Sequence, residues 1–143
     1  MDWTYLFTSL EGRINRKPYW IAAIVILVIG VPLQILGILI GGPLLGMLIS
    51  LIFLFPSYAI NVKRGHDRNR PTWMVTALFA LLLLIVLMQI TGLDMQAGQP
   101  TTAFMAVGAL FLIGAIVLFI DFALLRGTRG PNDYGPDPLE GQA

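Results

Sequence analysis

Lys63-Arg64-Gly65-His66-Asp67-Arg68-Asn69-Arg70-Pro71-Thr72-Trp73 is the one dense polar island between two long apolar halves of a 143-residue chain. It holds four of the nine Lys and Arg residues and the sole histidine. Which side of a membrane this island occupies decides how everything around it is placed.

Upstream lie two uncharged apolar runs, 19–40 and 44–62, separated by Gly41-Gly42-Pro43. At 1.5 Å per residue the first covers roughly 33 Å, enough for a hydrocarbon core of about 30 Å. It is too long for the apolar segment of a signal peptide and has no clear small-residue cleavage site, so it reads as a retained span. The Gly-Gly-Pro turn is so short that the second run must return antiparallel to the first. Pro32 and Pro56 each remove a helical hydrogen bond and predict kinks. The glycine pairs Gly37/Gly41 and Gly42/Gly46 have two readings, close helix packing or turn chemistry alone.

Downstream, the runs 72–93 and 103–125 flank a polar loop, 94–102. Leu81 to Leu87 is apolar on every face, as a helix in lipid or a buried core must be. The expected fold is therefore all-α, an integral-membrane four-helix bundle forming one domain over 1–143. Before the first span, Trp3, Leu6, Phe7 and Leu10 fall at helical spacing. They predict a short interfacial helix, ended by Gly12, with an unstructured leader as the alternative. Pro18 suits the first turn of the next helix. After the last span, the Gly- and Pro-rich tail 126–143 predicts successive turns.

Composition narrows the chemistry. The chain is 57% hydrophobic and 12% charged, too apolar for an ordinary soluble domain. It has no cysteine, hence no disulfide, thiolate site or thiol nucleophile. One histidine and scattered acids argue against a metal centre, and no cofactor or nucleic-acid partner is expected. With four spans, all nine Lys and Arg fall on one side and none on the other. That asymmetry places both termini and the 63–71 loop in the cytoplasm. Tyr19, Trp20, Tyr58, Trp73 and Tyr134 fall near the same interface, as an aromatic belt does.

Three motifs share that side: Gly12-Arg13-Ile14-Asn15-Arg16-Lys17-Pro18-Tyr19-Trp20, the 63–73 island, and Gly127-Thr128-Arg129-Gly130-Pro131-Asn132-Asp133-Tyr134-Gly135-Pro136-Asp137-Pro138. Their order and spacing resemble the DUF805 family of small bacterial inner-membrane proteins. The family pattern is G-R-x-x-R-x-x-[YF]-W, then R-R-L-H-D followed by S-G-W-W, then N-x-[YF]-G-x-D-P. Here Gly65 stands where the family has leucine, Pro71-Thr72 replace Ser-Gly, and Met74 replaces the second tryptophan. The resemblance implies location and architecture. It carries no reaction.

The candidate ligand or interaction residues are Arg13, Arg16, Trp20, Arg64, His66, Asp67, Arg68, Trp73, Asp121, Asn132, Tyr134, Gly135 and Asp137. The arginines either fix orientation or form an anionic-headgroup pocket, since a guanidinium fork matches phosphate geometry. His66-Asp67 reads either as a titrating pair or as structural contacts, with Asp67 capping the third helix or pairing with Arg64, Arg68 or a tail arginine. Asp121 sits inside an apolar run, where a charge at the bilayer centre costs about 2.5–3.5 kcal/mol. Arg64, Arg126 or His66 are its expected partners. The tail is expected to fold back on the island, with Asp133 or Asp137 meeting arginines. No nucleophile or carboxylate dyad is fixed by the sequence, so the leading expectation is a non-enzymatic structural or interaction protein. Its partners would be the bilayer and another membrane protein or a second copy. Binding of anionic lipid or a phosphorylated ligand, and a small transporter, are the alternatives.

Overall fold

A computed structural model describes residues 2–140. The elements in chain order are α1 (Trp3–Thr8), α2 (Arg16–Asp67), α3 (Thr72–Thr91), β1 (Met95–Gln96), β2 (Gln99–Pro100), α4 (Thr102–Phe119) and a π-helical turn (Ile120–Leu124). Three helices are long and apolar enough to cross a membrane: α2, α3 and α4 continued to Leu124.

The two apolar runs of the sequence are the two helical arms of α2, which meet at a break in the helix. Gly42 is its single residue with non-helical backbone, at φ 76° and ψ −175°. Only glycine adopts a positive φ without steric penalty, so the turn is concentrated in that residue. The two arms around Gly42 lie against each other. The Tyr19 hydroxyl donates to Asn61 Oδ1 at 3.3 Å. A Cβ on Gly37 would run into Ile49 and lie 3.4 Å from the Gly46 Cα, while one on Gly46 would run into Ile38. Gly37 and Gly46 thus permit close approach and Gly42 makes the turn, while a Cβ on Gly41 would run into Leu45. Pro32 and Pro56 lie within α2 without non-helical φ/ψ of their own.

Asp2 caps α1 by accepting from the Tyr5 amide at 3.0 Å. The helix ends at Thr8 with Ser9 as its cap, earlier than the expected stop at Gly12. Asn15 caps α2 by accepting from the Lys17 amide, which puts Pro18 in the first turn as anticipated. Pro71 precedes α3 and supplies no side-chain cap, so Asp67 is not the cap of this helix. The 94–102 segment is not a plain loop. Positive φ at Ala97 and Gly98 closes a two-residue hairpin between β1 and β2. In the tail, Asn132 and Gly135 form an isolated antiparallel bridge, and the turn-rich segment is described as far as Glu140.

The buried core lies at one end of the molecule. Leu6, Ile14, Tyr19, Ala22, Ile60, Val62, Val75, Leu118, Phe122 and Ala123 form it. The middles of the long helices expose their leucines, isoleucines and valines instead. That distribution suits lipid-facing helices, whose apolar side chains gain nothing from hiding from one another.

Candidate functional site: a buried arginine–aspartate clasp

Asp67, in the last turn of α2, organises the site. Its Oδ1 accepts from Arg13 Nε at 3.2 Å and Nη2 at 3.1 Å, and its Oδ2 accepts from Arg64 Nη1. Both arginine side chains are almost fully buried. Arg13 spends its remaining donors on the tail. Nη1 donates to the Gly130 and Gly135 carbonyls at 2.9 and 3.0 Å, and Nη2 to the Thr128 carbonyl at 2.8 Å. All five guanidinium N–H groups are thus engaged. The Asp67 carbonyl accepts in turn from the Thr128 amide and hydroxyl, at 2.8 and 2.7 Å. Gly127 passes so close that a Cβ there would collide with the Asp67 carboxylate.

Arg64 and its neighbours serve a second purpose. The last carbonyls of a helix have no partner within it and carry the negative end of its dipole. Here they are covered one after another by side chains from α2 and the segment that follows it. Arg64 takes Phe122 at 2.6 Å and Leu125 at 2.5 Å. Trp20 Nε1 takes Ala123 at 3.2 Å, Arg16 takes Leu124 at 3.2 Å, and Arg68 takes Arg126. The π-helical turn buries the consecutive residues Asp121, Phe122 and Ala123 against this face.

Asp121 is held by partners other than those expected. Arg68 Nη2 donates to its Oδ1 at 2.8 Å, and Arg70 Nε donates to its Oδ2 at 2.9 Å. Arg64 is committed to Asp67 and the helix end, and His66 faces the other way.

His66 Nδ1 lies 3.1 Å from the Gly12 carbonyl and Nε2 lies 2.9 Å from the Thr72 hydroxyl. A carbonyl only accepts, which assigns the proton to Nδ1 and lets Nε2 accept from Thr72 in the neutral ring. The ring stacks on Tyr134, with centroids 3.9 Å apart and planes 5° from parallel. Asn132 Nδ2 donates to the His66 carbonyl at 2.8 Å, and its Oδ1 accepts from the Tyr134 amide at 2.9 Å. The tail therefore docks on the island, but its acids do not meet arginines. Asp133 accepts from Asn69 Nδ2 at 3.1 Å. Asp137 accepts from the Leu139 amide at 3.0 Å and the Gly130 amide at 2.9 Å. Those two donors hold its carboxyl below the usual carboxylate range.

Of the sequence-predicted candidates, Trp73 stands apart: it is 67% exposed and its side chain makes no hydrogen bond among the described residues. Four contributors were not among those candidates. Lys63 is fully buried, with Nζ donating to the Tyr5 and Leu6 carbonyls at 2.9 Å and to the Ser9 carbonyl. It closes the end of α1 and lies 4.9 Å from the centre of the Tyr5 ring. Arg70, Thr72 and Thr128 are the others. The Lys-Arg dipeptide was visible in the sequence, but the carbonyls it serves are more than fifty residues away.

Every buried side-chain nitrogen and oxygen among the described residues has a hydrogen-bond partner. No cluster of three or more His, Asp or Glu among them is disposed to hold a metal.

A DUF805 family profile, described as a protein of unknown function, matches residues 7–136. Among relatives, the chain is 26% identical to Inner membrane protein YhaI of Escherichia coli (strain K12), over 94% of this chain and 90% of that protein. It is 26% identical to Inner membrane protein YhaH of the same strain, over 96% and 97%. It is 31% identical to Uncharacterized protein YiiR, again from that strain, over 90% and 85%. No solved structure matches the chain. On the strength of the profile and these nearly full-length relatives, the chain belongs to the DUF805 family.

Proposed function

We propose that this is a four-span, non-catalytic protein of the bacterial inner membrane whose clasp locks the spans together and presents a fixed cytoplasmic face to another membrane component. A straight 52-residue helix would be about 78 Å long, more than twice a hydrocarbon core. The contacts across Gly42 support two antiparallel crossings within α2 instead. The Lys and Arg residues gather at the ends of the spans away from Gly42 and the β-hairpin, which supports a cytoplasmic clasp.

The observation that carries the role is how the motif residues are spent. Arg13, Lys63, Arg64 and Arg68 bind carboxylates and helix-end carbonyls of their own chain. A catalytic site keeps reactive groups turned toward a space where substrate can sit. Here the buried charges are turned toward each other, and the ionisable residues lie at the ends of the spans rather than along them.

Photo-cross-linking from the exposed position Glu140 in living cells tests this. One discrete adduct, with another membrane protein or a second copy, is expected, and Arg64→Ala should abolish it. Absence of any adduct, together with solute flux through reconstituted vesicles, would replace this reading with transport.

A further inference from the structure

We infer that the cleft between the start of α2 and the segment after the π-helical turn binds a phosphate-bearing anion, carried as the headgroup of an anionic phospholipid. The cleft encloses about 260 Å³. Arg16, Lys17, Arg64 and Arg126 line it, against the carboxylates of Asp67 and Asp137.

The charges in this cleft are not equivalent. Asp67 is paired with Arg13 and Arg64, whereas Asp137 is held in its charged form by two backbone amides and makes no ion pair. Arg126 lies within the field of Asp137, but the four cations of the lining outnumber its two carboxylates. Lys17 and Arg126 are exposed, and their side chains donate to nothing among the described residues. Arg16 uses only Nη1, on the Leu124 carbonyl. A guanidinium fork and an ammonium therefore stand idle around a concave space, beside a clasp in which Arg13 has no donor left and every side-chain nitrogen of Arg64 is bonded. Arginine forks pair with phosphate through parallel hydrogen bonds, and lysine adds a point charge.

The surroundings favour a lipid over a free anion. Leu124 and Leu125 are exposed on the chain leading into the cleft, and Leu139 forms part of its lining. Trp20 is bonded to the neighbouring Ala123 carbonyl, with its ring edge-on to Phe119 at 6.2 Å. Apolar surface thus runs from the cleft onto the helices, where acyl chains would lie. This rests on the four-span reading, which sets the cleft at headgroup depth.

The test uses the full chain purified in detergent, stripped of lipid, and titrated with phosphatidylglycerol, phosphatidylcholine or inorganic phosphate under native mass spectrometry. Phosphatidylglycerol should be retained in preference to phosphatidylcholine. The double variant Lys17→Gln/Arg126→Gln should weaken that retention about thirtyfold, taking roughly 1 kcal/mol per cation and tenfold per 1.4 kcal/mol. Lys17→Arg/Arg126→Lys should restore it, and Arg129→Gln, a charge outside the cleft, should leave it intact. An unchanged far-ultraviolet circular dichroism spectrum shows that the double variant is folded. Millimolar inorganic phosphate that displaces the lipid would still place the anion in the cleft but make a soluble phosphate the ligand. Equal retention of the two lipids, or a double variant that binds like the parent, would overturn the inference. None of these outcomes depends on the number of crossings, which thiol labelling reads separately.

Discussion

At the scale of single residues, the clasp makes two carboxylates unequal. Asp67 faces two guanidinium groups that water scarcely reaches, whereas Asp121 faces Arg70, whose side chain is 45% exposed. Removing one partner of a buried ion pair costs about 3–5 kcal/mol, because the remaining charge is stranded. Asp67→Asn should therefore lose about that much stability in detergent. Asp121→Asn should lose only about 1.5–3 kcal/mol, the range for hydrogen bonds to a charged group. Thermal unfolding of the two variants checks this, and equal losses would contradict it. The departure at Gly65 has a partner too. A Cβ there would come within 3.1 Å of the Phe122 ring, so the leucine of the family pattern would overlap that ring. Gly65→Leu should cost about 1–3 kcal/mol by overpacking, and much of this should be recovered when Phe122→Ala is added. Additive losses in the double-mutant cycle would show that the ring is not the obstacle.

The residue types of the clasp were legible in the sequence, because arginines, a histidine and an aspartate beside apolar runs are conspicuous. Their pairing was not. Asp121 went to Arg68 and Arg70 because Arg64 was drawn to the open end of α4, a demand created by backbone carbonyls that no side-chain pattern announces.

At the scale of elements, the long apolar runs were read correctly as helical because nothing else satisfies the backbone in lipid. The hinge of α2 was placed within three residues, and the structure narrows it to one. Gly42→Val should therefore destabilise the fold by about 1–3 kcal/mol, since a β-branched residue resists positive φ. The same change at Gly108, which is helical and has open space around it, should be tolerated. Comparison of their melting temperatures decides between a required turn and a dispensable glycine. The β-hairpin was missed because Ala97 occupies a left-handed position that asparagine or aspartate usually announces.

The tail is braced by Asp137. Its folded-state pKa lies below the ordinary 3.8 because the Leu139 and Gly130 amides bind the charged form. A depressed pKa contributes stability that is complete above the ordinary value and lost as pH falls through the folded one. The Gly130 and Leu139 amide resonances should accordingly move together on acidification, with a midpoint below 3.8. A midpoint at or above that value would contradict the brace.

At the scale of the whole molecule, the sequence runs from an apolar, lipid-suited middle to one polar end where three distant motifs meet. The buried core and the clasp share that end. Within lipid there is little hydrophobic drive between helices, so specific polar contacts at the interface set how the spans register. The cytoplasmic position proposed for the clasp requires α2 to cross twice. The absence of native cysteine allows single thiols at the exposed positions Pro43, Gln99 and Glu140 to test this directly. A membrane-impermeant maleimide applied to spheroplasts should label Pro43→Cys and Gln99→Cys, and should reach Glu140→Cys only in inverted vesicles. Labelling of Glu140→Cys from outside, or of Pro43→Cys only from the cytoplasmic side, would contradict the account.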